Sequence, residues 1–319
     1  MNKTLSIIVP CYNVAAYVQA ALQSILDNVS PEHDSCLEIV IVNDGASDQT
    51  PEIIEQFIQN QLAQRPIAHH YIQQKNAGLS AARNTGMAHA SGEYWLFLDS
   101  DDFFDNQALD KILAVIDQHA PDIIEFDATK WTEGEYAIQS LYQPYFLPQQ
   151  THRLDAFKAN LWYVWSRCYH RKLFENQQFE VGKLFEDMMT IPYLYLAANQ
   201  IFRLPESLLA YRQRPASILA TLSHRHLDDL FWGVQKAMSL EKQYPDFQEE
   251  IQLLQYKNWR MIVAESIKIF LRTRDVSYLR AVQNKRAQMR QTHGRDYGWQ
   301  IAYFTQVLLK KYLHKKDTK

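Results

Sequence analysis

Cysteine is scarce in this chain. Of 319 residues only Cys11, Cys36 and Cys168 carry a thiol. An odd, widely spaced set without a CxxC pair argues against both a disulfide framework and a zinc site, and suits a reducing compartment. Long apolar runs are missing too: no segment approaches the ~20 residues of a membrane-spanning helix. The apolar part of MNKTLSIIVP is too short for a signal peptide. A soluble, cytoplasmic protein is expected, at most attached to a membrane surface. No glycine triplet follows the first apolar run and no GxxxxGKS/T occurs, so neither the dinucleotide loop nor the P-loop is present. Internal repeats and low-complexity linkers are also absent.

What is present is a core-forming composition, 47% hydrophobic and 13% aromatic. Strand-length apolar runs lie at Leu5–Val9, Glu38–Val42, His70–Ile72 and Tyr94–Leu98. Helical patterns at Ala15–Leu26, Gln49–Leu62 and Leu79–Ala90 separate them, and a helix at Asn106–His119 and a strand at Asp122–Phe126 continue the series. Such alternation, with runs apolar on both faces, predicts a mainly parallel sheet flanked by helices, an α/β layer. Periodicity weakens over 127–180, where short strands, turns and a small helix are expected. From Leu222 the text is helical: His226–Gln243, Gln248–Arg272, Ser277–Gln291 and Trp299–Leu313. The expected division is an α/β domain over 1–221 and a helical region over 222–319. Charge divides the chain differently: from Lys257 onward, 15 Lys and Arg face four acids, although the whole chain carries −3. A basic end suits an anionic partner.

Ligands of open α/β sheets sit beyond the carboxyl ends of the strands. Each of the first four runs ends in a polar cluster: Pro10-Cys11-Tyr12-Asn13, Asn43-Asp44-Gly45, Lys75-Asn76-Ala77-Gly78 and Asp99-Ser100-Asp101-Asp102. Singly, each has a plain structural reading: Asp48 caps the next helix, and Asn76 and Gly78 form a turn. Together at one rim they point to a ligand. Clustered aspartates suit a hard cation, Mg²⁺ or Mn²⁺, that shares its remaining positions with phosphate. An isolated Asp44 suits the ring N–H of a base such as uracil. A nucleoside diphosphate satisfies both.

LSIIVPCYNVAAYVQAALQSIL, EIVIVNDGASDQT, QKNAGLSAARNTGMAHASGEYWLFLDSDD and FEDMMTIPYLYLA resemble, in order, the family 2 glycosyltransferases of GT-A fold. The resemblance implies a nucleotide-sugar donor, usually UDP-linked, and transfer with inversion. It places Pro10, Tyr12, Asn13, Asp44, Asn76, Gly78, Arg83 and Ser100 at the nucleotide, with small Ala81 and Ala82 allowing close backbone approach. Asp99 and Asp101 match the DxD metal pair, and Asp102 is read as structural. Asn43 and Ala46 depart from the usual Asp and Ser. Inversion needs a base for the acceptor hydroxyl; Asp187 matches it, with Glu186 orienting it, although Asp187 would also serve as a helix cap.

Trp165, Tyr211 and Arg212 are candidates on the acceptor side, with Arg214 a further cation. Trp165 and Tyr211 have sugar-stacking faces, although core packing is the commoner fate of such rings. His224 is a candidate late metal or diphosphate ligand. GWQIAYFTQVLLKKYLHKK places Trp299, Tyr303, Leu308 and Tyr312 beside lysines, a pattern suited to an anionic membrane surface or to a packed final helix. The expected acceptor is a glycan or lipid-linked glycan of a bacterial surface polysaccharide or lipooligosaccharide. No nucleic-acid motif accompanies the basic residues. Two competing readings are a sugar nucleotidyltransferase, whose pyrophosphate loop PCYNVAAY lacks, and a silent GT-A module serving as an assembly platform, which would have lost Asp99, Asp101 or Asp187.

Overall fold

A computed structural model describes residues 4–132, 135–141, 153–213 and 223–293. The chain divides into two compact units, Met1–Pro215 and Ala216–Lys319.

The first unit is built on a nine-stranded sheet. Strands β1 (Leu5–Cys11) and β2 (Leu37–Asn43) are buried along their whole length, which is why their sequences are continuous apolar runs. With β3 (Ala68–Gln73) at one edge and β4 (Tyr94–Phe97), they form the parallel order β3-β2-β1-β4. Right-handed crossovers put α1 (Val18–Asp27) and α2 (Thr50–Asn60) on one face. The chain then returns across β2 and β1 through α3 (Leu79–His89), on the other face, before entering β4. That reversal opens a crevice between the carboxyl ends of β1 and β4. Pro10 sits there without cost to the ladder. Leu98 N–H donates to the Ile8 carbonyl at 3.0 Å, so Pro10, two residues on, faces the same side, past the end of β4.

Beyond β4 the sheet is mixed. The strand expected at Asp122–Phe126 to extend the parallel layer is β6 (Ile123–Thr132), but antiparallel β8 (Arg167–His170) lies between it and β4. β9 (Ile201–Arg212), parallel to β6, was not foreseen, and the two-residue β5 (Phe103–Phe104) pairs against it. The remaining elements are β7 (Glu135–Ser140), α4 (Ala108–His119), α5 (Arg153–Ala159) and α6 (Glu186–Ala197).

A buried polar knot ties this half together. Glu125 of β6, 2% exposed, accepts from Arg203 Nε at 2.8 Å and from Tyr195 Oη, and Arg167 pairs with it at 3.7 Å. Breaking such a buried pair costs far more than its net contribution, because one charge is left stranded. Arg167 also donates to the carbonyls of Leu161, at 2.6 Å, and Tyr163, at 2.7 Å. It thereby fixes the turn that precedes β8.

The second unit stacks α7 (His224–Gln243) on α8 (Gln248–Thr273) and α8 on α9 (Ser277–His293). The expected helix Trp299–Leu313, with its membrane-facing residues Tyr303, Leu308 and Tyr312, lies outside the described residues. No described helix is long and apolar enough to cross a membrane.

Candidate active site

The polar ends of β1 to β4 meet at one rim, and hydrogen bonds lace them together. Asn13, in the left-handed region at φ 51°, accepts from Ser47 N–H at 2.8 Å. Asp48 accepts from Ala15 N–H and Thr50 N–H, both at 3.0 Å, so it joins the β1 loop to the start of α2, whose N-cap position is taken by Gln49 without a side-chain bond. Asn43 accepts from Ala46 N–H at 2.9 Å, closing the turn that carries Gly45. Gly45 has φ +70°, and a Cβ there would lie 2.7 Å from Asn76 N, so the β2 and β3 loops pack backbone to backbone.

Asp44 was expected to read a base. It is 2% exposed, and its carboxylate accepts from Gln74 Nε2 at 2.7 Å, Ala77 N–H at 2.9 Å and Gly78 N–H at 2.8 Å. Asp44 thus holds the Asn76–Gly78 segment in shape. Tyr12 is half exposed and Asn76 exposed at the same rim. Ser100, placed with the nucleotide by resemblance, is instead 5% exposed and hydrogen-bonded to Cys11, whose thiol burial pushes up to about 12.

Arg83 requires the largest correction. Expected at the nucleoside, it has only 1% of its side chain exposed, and its fork is spent on three acids. Nη2 donates to Asp99 Oδ1 at 2.8 Å. Nη1 donates to Glu186 Oε1 at 2.7 Å and to Asp187 Oδ1 at 3.1 Å. Phe179 lies against the guanidinium at 5.3 Å. Burial disfavours the cation, but the neighbouring carboxylates outweigh it and hold Arg83 protonated. One buried cation therefore joins the end of β4 to the start of α6.

Asp187 is the second residue of α6 and is entered from Phe185 at φ 60°. Its Oδ2 accepts from Val164 N–H at 3.1 Å, in the turn that Arg167 fixes. Burial pushes Asp187 up to about 7; Arg83 opposes this, and the charges of Glu186 and Asp99 add to it. A carboxylate poised near neutrality, with both oxygens aimed by fixed donors, has the protonation balance of a general base. Sequence reading missed Val164 and Arg167, because a backbone N–H and a distant arginine leave no local motif.

Asp99 keeps 24% of its side chain exposed, and its second oxygen accepts from no described residue. Asp101 is part-exposed beside it, and the described residues contain no cluster of three or more His, Cys, Asp or Glu able to hold a metal. Two adjacent carboxylates fit a hard cation only if phosphate and water supply its other ligands. Asp102 is 1% exposed and accepts Arg212 N–H at 2.8 Å, tying β9 to the acidic turn.

The acceptor-side candidates separate. Trp165 is 3% exposed, packed on Tyr163 at 4.8 Å and Tyr211 at 5.2 Å, so it has no face to offer a sugar. Tyr211 keeps partial exposure; burial pushes its phenol up to about 12, helped by Asp102, Tyr163, Asp99 and Asp101. Arg212 is ringed by Trp131, Phe103 and Tyr17 at 4.4, 5.4 and 5.1 Å, and its Nε donates to the Asp101 carbonyl at 2.8 Å. It braces the acidic turn from behind. His224, considered as a late ligand, lies within the helical unit, stacked on Tyr278 at 4.0 Å with Nε2 2.9 Å from Ser277 Oγ. Arg214 lies outside the described residues.

A parallel half-sheet with its rim loops, an Asp-Ser-Asp turn after β4 and an acidic helix start after β8 make up a GT-A fold. The glycosyl transferase family 2 profile matches residues 6–181, and the chain belongs to that family. It is 31% identical over 251 residues to glycosyltransferase GlyA of Streptococcus pneumoniae serotype 4, a match covering 75% of this chain but 35% of GlyA. The fold is similar to Staphylococcus aureus TarS residues 1–349 solved with UDP-GlcNAc: TM-score 0.69, 20% identity, 88% of this chain and 80% of that one. It is also similar to the mannosyltransferase PcManGT of Pyrobaculum calidifontis with GDP-Man and Mn²⁺: TM-score 0.58, 16% identity, 98% and 83% covered.

Proposed function

We propose that this chain is an inverting, metal-dependent glycosyltransferase that moves a sugar from a nucleotide-sugar, UDP-linked, to a hydroxyl of a glycan or lipid-linked glycan in bacterial surface polysaccharide synthesis. The observation that carries the reading is Asp187, its two oxygens fixed by Arg83 and the Val164 N–H and joined through Arg83 to the Asp99–Asp101 turn. That TarS was solved with UDP-GlcNAc supports the donor class.

In this reaction the acceptor oxygen forms a bond to the anomeric carbon from the face opposite the diphosphate. The carbon–oxygen bond to the diphosphate breaks, and its electron pair leaves with UDP. Asp187 takes the acceptor proton on a lone pair that Arg83 and Val164 leave uncovered, and Glu186 balances Arg83. Asp99 and Asp101 would hold Mg²⁺ or Mn²⁺, which supplies positive charge beside the departing diphosphate. Tyr12, Asn13 and the Asp44-braced Asn76–Gly78 loop frame the nucleoside. Tyr211 faces the acceptor. The domain assignment that goes with this is catalysis in 1–221 and a helical region over 222–319, whose lysine-rich sequence 298–316 suits either an anionic membrane face or packing on the core.

A panel of nucleotide-sugars, read out as nucleotide release with Mn²⁺ and with chelator, tests the reading. The expected result is turnover of a UDP-sugar that chelator lowers at least about a hundredfold. D187N should still bind UDP with Mn²⁺, within about threefold of the wild type, while turnover falls about a hundredfold or more. No turnover from any donor would leave the assembly-platform reading in its place.

A further inference from the structure

Arg83 lies 16 residues before Asp99 and more than a hundred before Asp187, yet one guanidinium bonds both. The acids belong to separate elements: Asp99 to the turn after β4, Glu186 and Asp187 to the first turn of α6. The arginine sits on a third, α3, with its side chain buried and its Nε–H without a partner among the described residues. A buried fork with donors on fixed axes sets distances as well as charges, which a lysine ammonium does not.

We propose that Arg83 is a positioning residue that couples the two halves of the site, so that the carboxylate facing the cation and diphosphate and the carboxylate facing the acceptor proton share one cation. This rests on the reading of Asp99 and Asp187 under the proposed function. The positive charge of Arg83 is divided among Asp99, Glu186 and Asp187. When Asp187 is neutral, more of Arg83 falls to Asp99, and Asp99 becomes a poorer ligand for a metal. When a cation draws on Asp99, more of Arg83 falls to Asp187 and favours its ionised form. Donor loading at one end thus prepares the base at the other. The groups that face Asp187 are Arg83 from α3, Asp99 from the β4 turn, Glu186 from α6, and Tyr163 with Val164 N–H from the turn before β8. Among these Arg83 is the cation.

A double-mutant cycle tests the coupling without requiring turnover. The dissociation constant of UDP with Mn²⁺ is measured by calorimetry for the wild type, D187N, R83Q and the double variant. D187N is expected to weaken Mn²⁺-dependent UDP binding about threefold in the wild-type background. In the R83Q background its effect should shrink below about twofold. An effect of D187N that is equal in both backgrounds, or absent from the wild type, overturns the proposal. An arginine that merely filled space would lower the melting temperature of every R83Q protein without changing how D187N acts on binding. Should R83Q fail to fold, R83K completes the same cycle, since a single ammonium cannot serve both sides; coupling as large as with arginine then overturns the proposal. A wild type that binds no UDP with Mn²⁺ defeats the functional reading instead. In that case urea melts of D99N, D187N and D99N/D187N, with and without R83K, decide the matter: non-additivity that survives the lysine refutes a role for the fork.

Discussion

Titration of the rate offers the most direct test of Asp187. Burial is the first cause of its raised pKa, and the charges of Glu186 and Asp99 reinforce it against Arg83, with the result at about 7 where an ordinary aspartate has 3.8. A base must be ionised to accept the acceptor proton. At about pH 6 only about a tenth of such a group is ionised, and each further unit downward costs another tenfold. The acid limb of kcat/KM should therefore break near neutrality and fall with unit slope, since that ratio reports the free enzyme. Saturating Mn²⁺ shifts the expectation in a known direction. A cation at Asp99 and Asp101 cancels negative charge that raises Asp187, so the limb of kcat should lie below that of kcat/KM. The assay is release of UDP from the donor found in the panel, across about pH 5 to 9, at limiting and at saturating donor. A limb at the ordinary carboxylate value near 4 would refute the argument. So would a limb near 7 that persists unchanged in D187N.

Stability should carry the same signature with opposite benefit. Because the folded state binds a proton on Asp187 that the unfolded chain has released, its contribution falls as pH rises from about 4 to about 7 and then levels. The melting temperature of D187N relative to wild type should therefore rise across that window, and a constant difference would contradict the burial assignment. Asp44→Asn replaces an acceptor with a donor facing the Ala77 or Gly78 N–H; calorimetry should show UDP binding weakened about tenfold, and unchanged affinity would remove the loop-bracing role. Gly86→Ala places a Cβ 2.4 Å from Ile8 Cγ2 where α3 lies on β1, and urea unfolding should show a loss of about 1–3 kcal/mol.

The fold was legible where burial is two-sided. β1 and β2 are covered on both faces, so their sequences contain little except apolar residues and could not be mistaken. β9 was missed because Ile201–Arg212 alternates buried and exposed positions unevenly and contains Pro205, which weakens every local strand signal. Its place between β6 and β5 is set by tertiary pairing. Antiparallel β8 falls where short strands were expected over 127–180, but its place and direction were not legible: at four residues it is too short to show a period.

At the site, motifs identified which residues belong together but not which of them are already bonded within the protein. Asp44, Ser100 and Arg83 were all assigned to the nucleotide by the company they keep, and all prove to be buried. The distinction is one of solvation. A residue that touches a ligand and a residue that braces the ligand's loop can be equally bound to one motif, because both fail when the rim loses its shape. What separates them is whether the side chain's hydrogen-bonding capacity is already used, and that depends on partners more than a hundred residues away, as with Arg83 and Asp187. The acidic turn shows the converse. Three carboxylates after a buried strand would repel one another as a bare sequence, yet Asp102 is turned inward onto Arg212 N–H and Asp99 is half neutralised by Arg83. Only the Asp99–Asp101 pair remains at the rim. The crowding is thus relieved from inside the protein on one side, and the remaining charge faces outward, where a cation carried by a diphosphate would complete the balance.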